Sequence, residues 1–329
     1  MIKPLLFIFL WLIVFITSSP SEAQVESVPE SKWLGLEIEN TRTSDELNLN
    51  HFSFNYRKHR RNLFFPFSNE KEKSEDVGVA MDYFEGQLST LKFNSLRILG
   101  LLARKSSRNF LIETYLGGQY FKSEQLESSM ATPGVSIYYQ VPQKLLLQSH
   151  LDRFYLAQDG FLTGPLSDGT NAWRWKPSAT YFLNERFRFL IRPELDFISD
   201  GNKRFYSDFA LMYGISSWPR WIWVGLGAEY LSNSITGNYW SPSLFKSYGL
   251  RFELNSEISK GFSGIIGLNY NQIQEQENLW GSGHYLNLGL AYGDRNSSNI
   301  NFSYIHIQSV QSNNEWKSNS FALNWNYFF

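Results

Sequence analysis

The sequence contains no cysteine among its 329 residues. Disulfide bonds are therefore excluded, and so is the attachment of lipid to an N-terminal cysteine after cleavage of a signal peptide. An exported protein without disulfides must draw its stability from its size or from its surroundings. This absence leaves a large domain or a membrane as the source of stability.

Long apolar runs and a net charge are also missing. Beyond the first 23 residues, no apolar run is long enough for a transmembrane helix. The net charge is -1 and the isoelectric point is about 6.5, so the excess of positive charge typical of nucleic-acid binding is absent. The five histidines are scattered and no phosphate-binding motif is present, so we expect no metal and no cofactor.

The N-terminus holds the one long apolar segment. Lys3 is followed by the run PLLFIFLWLIVFIT and then by the polar stretch SSPSEA, which ends in a small residue. This order predicts a secretory signal peptide at residues 1–23, cleaved after Ala23, and export through the Sec pathway. An N-terminal membrane anchor is the alternative, but about fourteen apolar residues are too few for a comfortable span.

Aromatic residues are abundant. The chain has 27 Phe, 18 Tyr and 11 Trp, yet its mean hydropathy is -0.32. Apolar and polar residues alternate over long stretches, as in FRFLIRPELDF, RWIWVGLGAEY, YGLRFEL and HYLNLGLAY. In the C-terminal SFALNWNYFF, one face carries Phe321, Leu323, Trp325, Tyr327 and Phe329. Period two with one apolar face is the signal of a half-buried β-strand.

A soluble β-sandwich shows the same alternation, so three further features decide between the folds. The predicted strands run about 10–14 residues, longer than the strands of globular sheets. Their apolar faces begin or end in aromatic residues, as the aromatic girdles of membrane barrels do. Short and long connections also alternate. Together these features predict an all-β fold, a transmembrane antiparallel β-barrel in the bacterial outer membrane.

We place sixteen strands, because an even number returns both termini to the periplasm. They lie near 33–41, 46–57, 78–86, 90–103, 107–121, 131–141, 144–156, 172–183, 186–198, 204–215, 219–232, 244–258, 261–275, 281–293, 297–309 and 315–328. Fourteen and eighteen strands are the alternatives. The predicted domains are the signal peptide, a short periplasmic segment at 24–32 and the barrel at 33–329.

The N-terminal third of the barrel fits this scheme least well. Residues 57–77 are charged with an apolar centre, and they form an extra hairpin, a plug or a misplaced loop. The phase of the alternation also slips between Leu49 and Phe52, which predicts a β-bulge.

The aromatic C-terminus is explained if the last strand pairs with the first and its apolar side faces acyl chains. A terminal Phe preceded by alternating aromatic residues resembles the sorting signal of outer-membrane proteins. The resemblance implies that Trp325, Tyr327 and Phe329 form an assembly signal for the barrel assembly machinery. Outer-membrane lipid is the other expected partner.

A barrel of about sixteen strands encloses an aqueous channel, and the polar faces of the strands predict its lining. The predicted pore-lining residues are Arg174, Lys176, Arg188, Arg192, Glu194, Asp196, Asp208, Trp221, Trp223, Glu229, Arg251 and Glu253. Facing rows of opposite charge set the selectivity of a pore. The alternative is that any water-filled barrel interior carries such ion pairs without a selective role.

The segment SITGNYWSPSLFKSY, 234–248, lies in a predicted extracellular loop. Its aromatic rings beside polar groups suit the apolar faces of sugars, and a loop that folds onto the barrel rim is the alternative. GNYWSP followed by a strand resembles the aromatic–Ser–Pro loop in the C-terminal barrels of the bacterial exporters of cellulose and poly-N-acetylglucosamine. The resemblance implies a sixteen-stranded pore for export of a polysaccharide, with Tyr239, Trp240, Ser241 and Pro242 near its exit.

Such exporters carry an array of tetratricopeptide helices before the barrel, whereas only the segment 24–32 precedes the first strand after the predicted cleavage. The resemblance therefore implies that a separate periplasmic scaffold or an inner-membrane synthase delivers the polymer, or that the scaffold is absent. A general diffusion porin and a plugged barrel with a structural or surface-interaction role are the alternative functions.

A lipid hydrolase is the least favoured function, and we expect no enzyme. His51 and Ser53 share one face, but the aromatic residues that alternate with them would direct this pair into the lumen, away from lipid. His150 and Asp152 also share a face. A nucleophile and its base need in addition an orienting third group and an oxyanion site.

Overall fold

The structure is a computed structural model. It describes residues 32–44, 46–58, 74–88, 90–107, 109–142, 144–159, 169–217, 219–235, 242–275, 279–293, 298–311 and 314–328. The predicted signal peptide lies outside these residues. Leu156–Asp159 forms a 3-10 turn. No helix in the described part of the chain is long and apolar enough to cross a membrane.

Seventeen β-segments follow one another along the described residues. Their bounds are β1 Trp33–Thr43, β2 Leu47–Arg57, β3 Ser74–Leu88, β4 Leu91–Ser107, β5 Phe110–Ser123, β6 Glu127–Ala131, β7 Gly134–Val141, β8 Leu145–Tyr155, β9 Asn171–Asn184, β10 Phe187–Ile198, β11 Lys203–Ser216, β12 Arg220–Asn233, β13 Phe245–Ser259, β14 Phe262–Glu275, β15 Leu279–Gly293, β16 Ser298–Gln311 and β17 Asn314–Phe328. Alternating apolar and polar residues make each segment suited to a sheet with two different faces.

The segments form one closed antiparallel sheet. β1 pairs with β17 along its whole length, from Trp33 opposite Phe328 to Thr43 opposite Ser318. β6 and β7 pair with different parts of β5, so they are two halves of one barrel strand. Pro133 lies between the halves and interrupts the ladder, because proline has no N–H to donate. The barrel therefore has sixteen strands, which confirms the predicted fold and strand count.

The outer face of the barrel is apolar. In β17 the side chains of Phe321, Leu323, Trp325 and Tyr327 are 37–47% exposed, whereas Ser320 on the other face is buried. A continuous exposed band of large apolar side chains meets acyl chains in a membrane barrel. In bacterial single-chain barrels the end that carries both termini is periplasmic, and the opposite end is extracellular.

The N-terminal third differs from the prediction. β2 ends at Arg57 and β3 begins at Ser74, so most of the charged segment 57–77 lies outside the described residues. The predicted bulge between Leu49 and Phe52 is wrong, because β2 pairs with β1 and β3 in an unbroken register. Leu49 makes the inner face apolar, and Phe52 makes the outer face apolar. The apparent slip is therefore a change of the apolar face along one regular strand.

Candidate functional site: the barrel lumen

The extracellular end of the lumen is filled by apolar side chains, which we call the apolar layer. Its members are buried, each no more than 8% exposed. They are Leu47, Phe93, Phe121, Phe154, Tyr155, Leu156, Ala157, Ala172, Ile198, Tyr206, Leu231, Phe245, Ile273, Tyr285, Ile305, Ile307 and Trp316. They come from strands around most of the circumference, so the layer forms a ring along the inner wall.

The 3-10 turn after β8 is part of the apolar layer. Leu156 and Ala157 are fully buried, and the Leu156 amide donates to the Thr170 carbonyl oxygen at 3.0 Å. The Gln158 side-chain amide donates to Ser95 Oγ of β4, three strands away along the wall, at 3.2 Å. The chain thus folds into the lumen at this point, and the turn fills the space that the strands leave.

Ion pairs cover the inner wall of β9, β10 and β11 beside and below the apolar layer. The Arg174 guanidinium donates to both carboxylate oxygens of Asp196, at 2.8 and 2.9 Å. Arg204 donates to Glu194 at 2.8 Å, and Lys176 lies 3.5 Å from the same carboxylate. Arg174 and Asp196 are both 1% exposed, so these charges are compensated by each other and not by water.

A second group of ion pairs extends this wall onto β12 and β13. Asp208 accepts a hydrogen bond from Arg251 and lies 3.6 Å from Arg192. Arg251 also lies 3.5 Å from Glu229. The Arg251 side chain lies flat on the wall over Gly227, where a Cβ atom would come within 2.0 Å of its Nε. Glycine at this position therefore lets a long cation lie along the wall and not across the lumen.

The two tryptophans of β12 are packed into the same wall. The Arg188 guanidinium lies 4.4 Å from the ring centroid of Trp223 and pairs with Glu253. Trp221 packs against the small cluster around Met212. One ring face of Trp223 is therefore covered by a cation, which leaves Trp221 as the more accessible ring.

The wall of β2 to β8 carries further ion pairs that include two histidines. Arg97 pairs with Asp82 at 2.7 Å, and His51 lies 3.5 Å from the same carboxylate. His150 lies 2.7 Å from Ser136 Oγ and 3.5 Å from Asp152. The histidines are scattered in the sequence but have partners in the structure, because residues far apart in the chain meet across neighbouring strands.

Neither histidine group is an evident reaction centre. Ser136 is 4% exposed and lies beneath the rings of Tyr115 and His150, so the Ser–His–Asp order is part of the wall packing. Glu37, Glu39 and His51 place one ligand atom each within 4.8 Å of one another, a set that could hold a metal ion. The His51 ring lies 3.9 Å from Glu39 as well as beside Asp82, and this pairing accounts for the group without an ion.

The inner wall of β14 to β17 is different, and we call it the amide wall. Between the apolar layer and the periplasmic end, its described inward positions carry no Lys, Arg, Asp or Glu. Its polar side chains are Ser263, Asn269, Asn271, Asn287, Asn299, Asn301, Ser303, Ser318, Ser320, Asn324 and Asn326. Asn299 Oδ1 accepts from Asn301 and from Asn326, both at 3.0 Å. The lumen thus has one charged side and one neutral, hydrogen-bonding side.

All twelve predicted pore-lining residues lie on the inward faces of β9 to β13. Of the predicted saccharide loop, Tyr239, Trp240 and Ser241 lie outside the described residues. Pro242 is buried, and its carbonyl oxygen accepts from the Asn233 side chain at 2.9 Å. Phe245, from the same aromatic segment, belongs to the apolar layer.

Two of the three predicted assembly-signal residues are described. Trp325 and Tyr327 point outward, with ring centroids 6.0 Å apart, and Phe329 lies outside the described residues. The β17 strand end is fixed to β1, because the indole N–H of Trp33 donates to Asn326 Oδ1 at 3.2 Å.

Sequence reasoning missed the apolar layer and the amide wall. The signal for the layer was present as apolar residues that change face near the extracellular end of a strand. On β12 the inward Leu231 directly follows the outward Tyr230. On β16 the apolar residues Ile305 and Ile307 face inward, whereas Phe302 faces outward. The signal for the amide wall was the Asn-rich inward face of β16 and β17.

No protein-family model matches the sequence, and the search of curated proteins gives no match. Among solved structures, a bacterial polysaccharide outer membrane secretin is similar, with 12% identity and a TM-score of 0.69 over 90% of this chain and 98% of that chain. CdiB from Acinetobacter baumannii has 8% identity and a TM-score of 0.50 over 90% and 60%. OccK3 from Pseudomonas aeruginosa has 12% identity and a TM-score of 0.45 over 92% and 96%. At these identities the first likeness shows the fold, which is that of an outer-membrane β-barrel.

Proposed function

We propose that the protein is an outer-membrane conduit for a polysaccharide and that the apolar layer closes its extracellular exit at rest. The observation that carries this proposal is the amide wall, which faces a charge-balanced wall across the lumen. Amide and hydroxyl groups donate and accept hydrogen bonds in the way that sugar hydroxyls require. The similar solved structure, a bacterial polysaccharide outer membrane secretin, supports the proposal through a shared fold alone.

A sliding polymer needs contacts that exchange without deep binding. Conduction requires sites that are favourable enough to enter and weak enough to leave. The side chains of Asn269, Asn324 and Asn326 are only half-buried, so their amide groups can be reached from the lumen. A passing hydroxyl or a water molecule can bond to them in turn. The amide wall therefore offers many equivalent partners along the path.

The charged side of the lumen supports a neutral or weakly charged polymer. Its cations and anions are paired with each other, as in the set formed by Arg174, Arg204, Glu194 and Asp196. Paired charges leave little field for selecting free ions. The long side chain of Arg251 also lies along this wall, since Gly227 makes room for it. The space in front of the wall is thereby kept free.

The apolar layer also favours a second candidate function, a plugged barrel with a structural or surface role. A layer of buried apolar side chains excludes water and blocks small solutes as well as polymers. The same feature makes a general diffusion porin the weaker alternative. The two remaining candidates differ in whether the layer can open.

Opening is tested by replacing a residue of the turn with a charge. Leu156→Asp places a carboxylate in the middle of the apolar layer, where it is stable only if water enters. We expect at least about a tenfold increase in single-channel conductance over a nearly silent native protein, because a hydrated constriction conducts ions. Leu156→Met, which conserves volume, is the control and should stay silent.

The outcome separates the two candidates. A charged variant that assembles into a heat-modifiable β-barrel but remains silent supports the plugged structural barrel. A conducting variant that also restores or increases secretion of polysaccharide in the native host supports the gated conduit. We propose further that the polymer arrives from a separate periplasmic scaffold or inner-membrane synthase, and that the barrel assembly machinery inserts the chain. Co-purification from the native membrane tests both partners.

A further inference from the structure

The apolar band on the outer surface is tall on one side of the barrel. In β10 every outward residue from Phe187 to Phe197 is apolar, and in β9 the outward residues from Trp173 to Leu183 are apolar or aromatic. At about 3.4 Å per residue these runs measure about 34 Å along the strand. A strand tilt of about 40° reduces this length to about 26 Å, which matches the band of about 25 Å in outer-membrane barrels.

The band is short where the barrel closes. We call β16, β17, β1 and β2 the closing seam. The outward apolar runs there are Ile300–Tyr304, Phe321–Tyr327, Leu34–Ile38 and Phe52–Tyr56. Three of these runs measure about 14 Å along the strand, or about 10 Å of membrane thickness after the same tilt. Three of the four seam strands therefore lack more than half of the apolar height found on the opposite side, and β17 lacks about 10 Å of it.

Between this short band and the extracellular end, the outer face of the seam carries polar side chains. The Asn40 amide nitrogen donates to Asn48 Oδ1 at 2.8 Å and to Asn50 Oδ1 at 2.7 Å. Arg42 Nε donates to Asn40 Oδ1 at 3.2 Å. On the other side of the β1–β17 junction, Asn319 Oδ1 lies 2.9 Å from His306 Nδ1. We call Asn40, Arg42, Asn48, Asn50, His306 and Asn319 the seam patch.

Acyl chains cannot hydrogen-bond, so a polar outer wall at their depth is unfavourable. The extracellular position of the seam patch places it where the head groups of the outer leaflet lie. We propose that the seam patch binds the saccharide and phosphate head groups of the outer-leaflet glycolipid and that the membrane is locally thin along the seam. Amide groups suit the sugar hydroxyls, and Arg42 suits the phosphate.

A lipid surface fits the seam patch better than a second copy of this chain. Protein interfaces place large aromatic or apolar anchors at their centre. The centre of the seam patch is formed by asparagines that already bond one another, so it offers little apolar area. A hydrated head-group layer can satisfy the remaining donors and acceptors without such anchors.

The absence of cysteine allows a direct test of membrane depth. Asn48→Cys on the seam and Trp173→Cys on the tall side each create a unique site for a fluorophore on the full chain in lipid vesicles. Quenching by spin labels on the acyl chains should be at least about threefold weaker at the seam, because its outer wall meets head groups. Equal quenching at both sites would overturn the proposal.

A second measurement tests the head groups themselves. Native mass spectrometry should find lipid A retained by the native barrel and at least about fivefold less retained by the combined variant Asn40→Leu, Asn50→Leu and Asn319→Leu, which raises the apolar band. Ser232→Leu, outside the seam, is the control and should retain lipid A. Unchanged retention in the triple variant would contradict the proposal, as would a native dimer that this variant dissociates.

Discussion

The charged half of the barrel, β9 to β13, and the seam half, β14 to β17 with β1 and β2, follow the same alternation and differ in both faces. The charged half has ion pairs inside and a tall apolar band outside. The other half has amides and hydroxyls inside on β14 to β17, with Glu37, Glu39 and His51 on β1 and β2, and along the seam its outer band is short. Period-two alternation therefore specifies which residues share a face, while the chemistry and height of each face vary independently around the circumference.

The difference predicts unequal sensitivity to truncation. Asp196→Ala leaves Arg174 and Arg204 with Glu194 as their one shared carboxylate, in a site that is almost fully buried. We expect the free energy of unfolding to fall by about 3–5 kcal/mol, since one carboxylate cannot balance both cations and an uncompensated buried charge is costly. The loss is measured by titrating each variant with urea and following the folded fraction from the difference in gel migration between the folded and the unfolded barrel. The matched change on the amide wall is Asn326→Ala, which removes hydrogen bonds to Trp33 and Asn299 and is expected to cost about 1 kcal/mol. Equal losses of unfolding free energy for the two variants would show that the charged half and the amide wall do not differ in sensitivity.

Glycine positions sharpen the comparison within the charged half. Gly227→Ala places a methyl group within 2.0 Å of Arg251 Nε, so the guanidinium must leave its place beside Asp208. We expect a loss of about 1–3 kcal/mol, the usual cost of overpacking. Gly118→Ala is the control because its Cβ would lie 3.9 Å from the nearest atom. The same urea titration measures this loss. An unchanged free energy of unfolding in Gly227→Ala would show that the Arg251 side chain can move aside without cost.

The amide wall should influence transport more than stability. Asn299→Ala removes an acceptor of two hydrogen bonds, from Asn301 and from Asn326. We expect a loss of about 1 kcal/mol in stability, together with a few-fold lower polymer flux through the opened Leu156→Asp barrel. Flux is measured as labelled polysaccharide leaving vesicles. An unchanged flux in a folded variant would separate the amide wall from transport.

The smallest effect is expected at the rim of the seam. Lys317 and Glu315 form a 2.9 Å ion pair whose side chains are 43% and 45% exposed. Lys317→Ala should leave the free energy of unfolding nearly unchanged, because exposed pairs are screened by water. A loss comparable with that of Asp196→Ala would show that the rim is shielded from solvent.

The sequence allowed the strand number and the inward rows to be predicted, because both depend on alternation within one strand. It did not allow the apolar layer to be predicted, because period-two alternation implies a single apolar face for each strand. On β2 the inward Leu47 and Leu49 precede the outward Phe52 and Phe54, and a bulge would produce the same pattern. Only the pairing register separates these two explanations.

The partners in the ion pairs also could not be predicted from the sequence. Glu194 and Asp196 share a face with Arg188 and Arg192 of their own strand, yet their partners include Arg174 on β9 and Arg204 on β11. Which cation meets which carboxylate depends on the stagger between strands. That stagger is set by the closure of the whole barrel and not by any local pattern.

The apolar layer also bears on the order in which the chain can fold. Its members range from Leu47 in the second strand to Trp316 in the last, so most of its contacts join residues far apart in sequence. Contacts of this kind form late and slowly, because long loops must close first. Until the last strand docks, the layer is an open apolar surface that favours aggregation. Completion of the ring therefore buries the surface that makes an unfinished barrel hazardous.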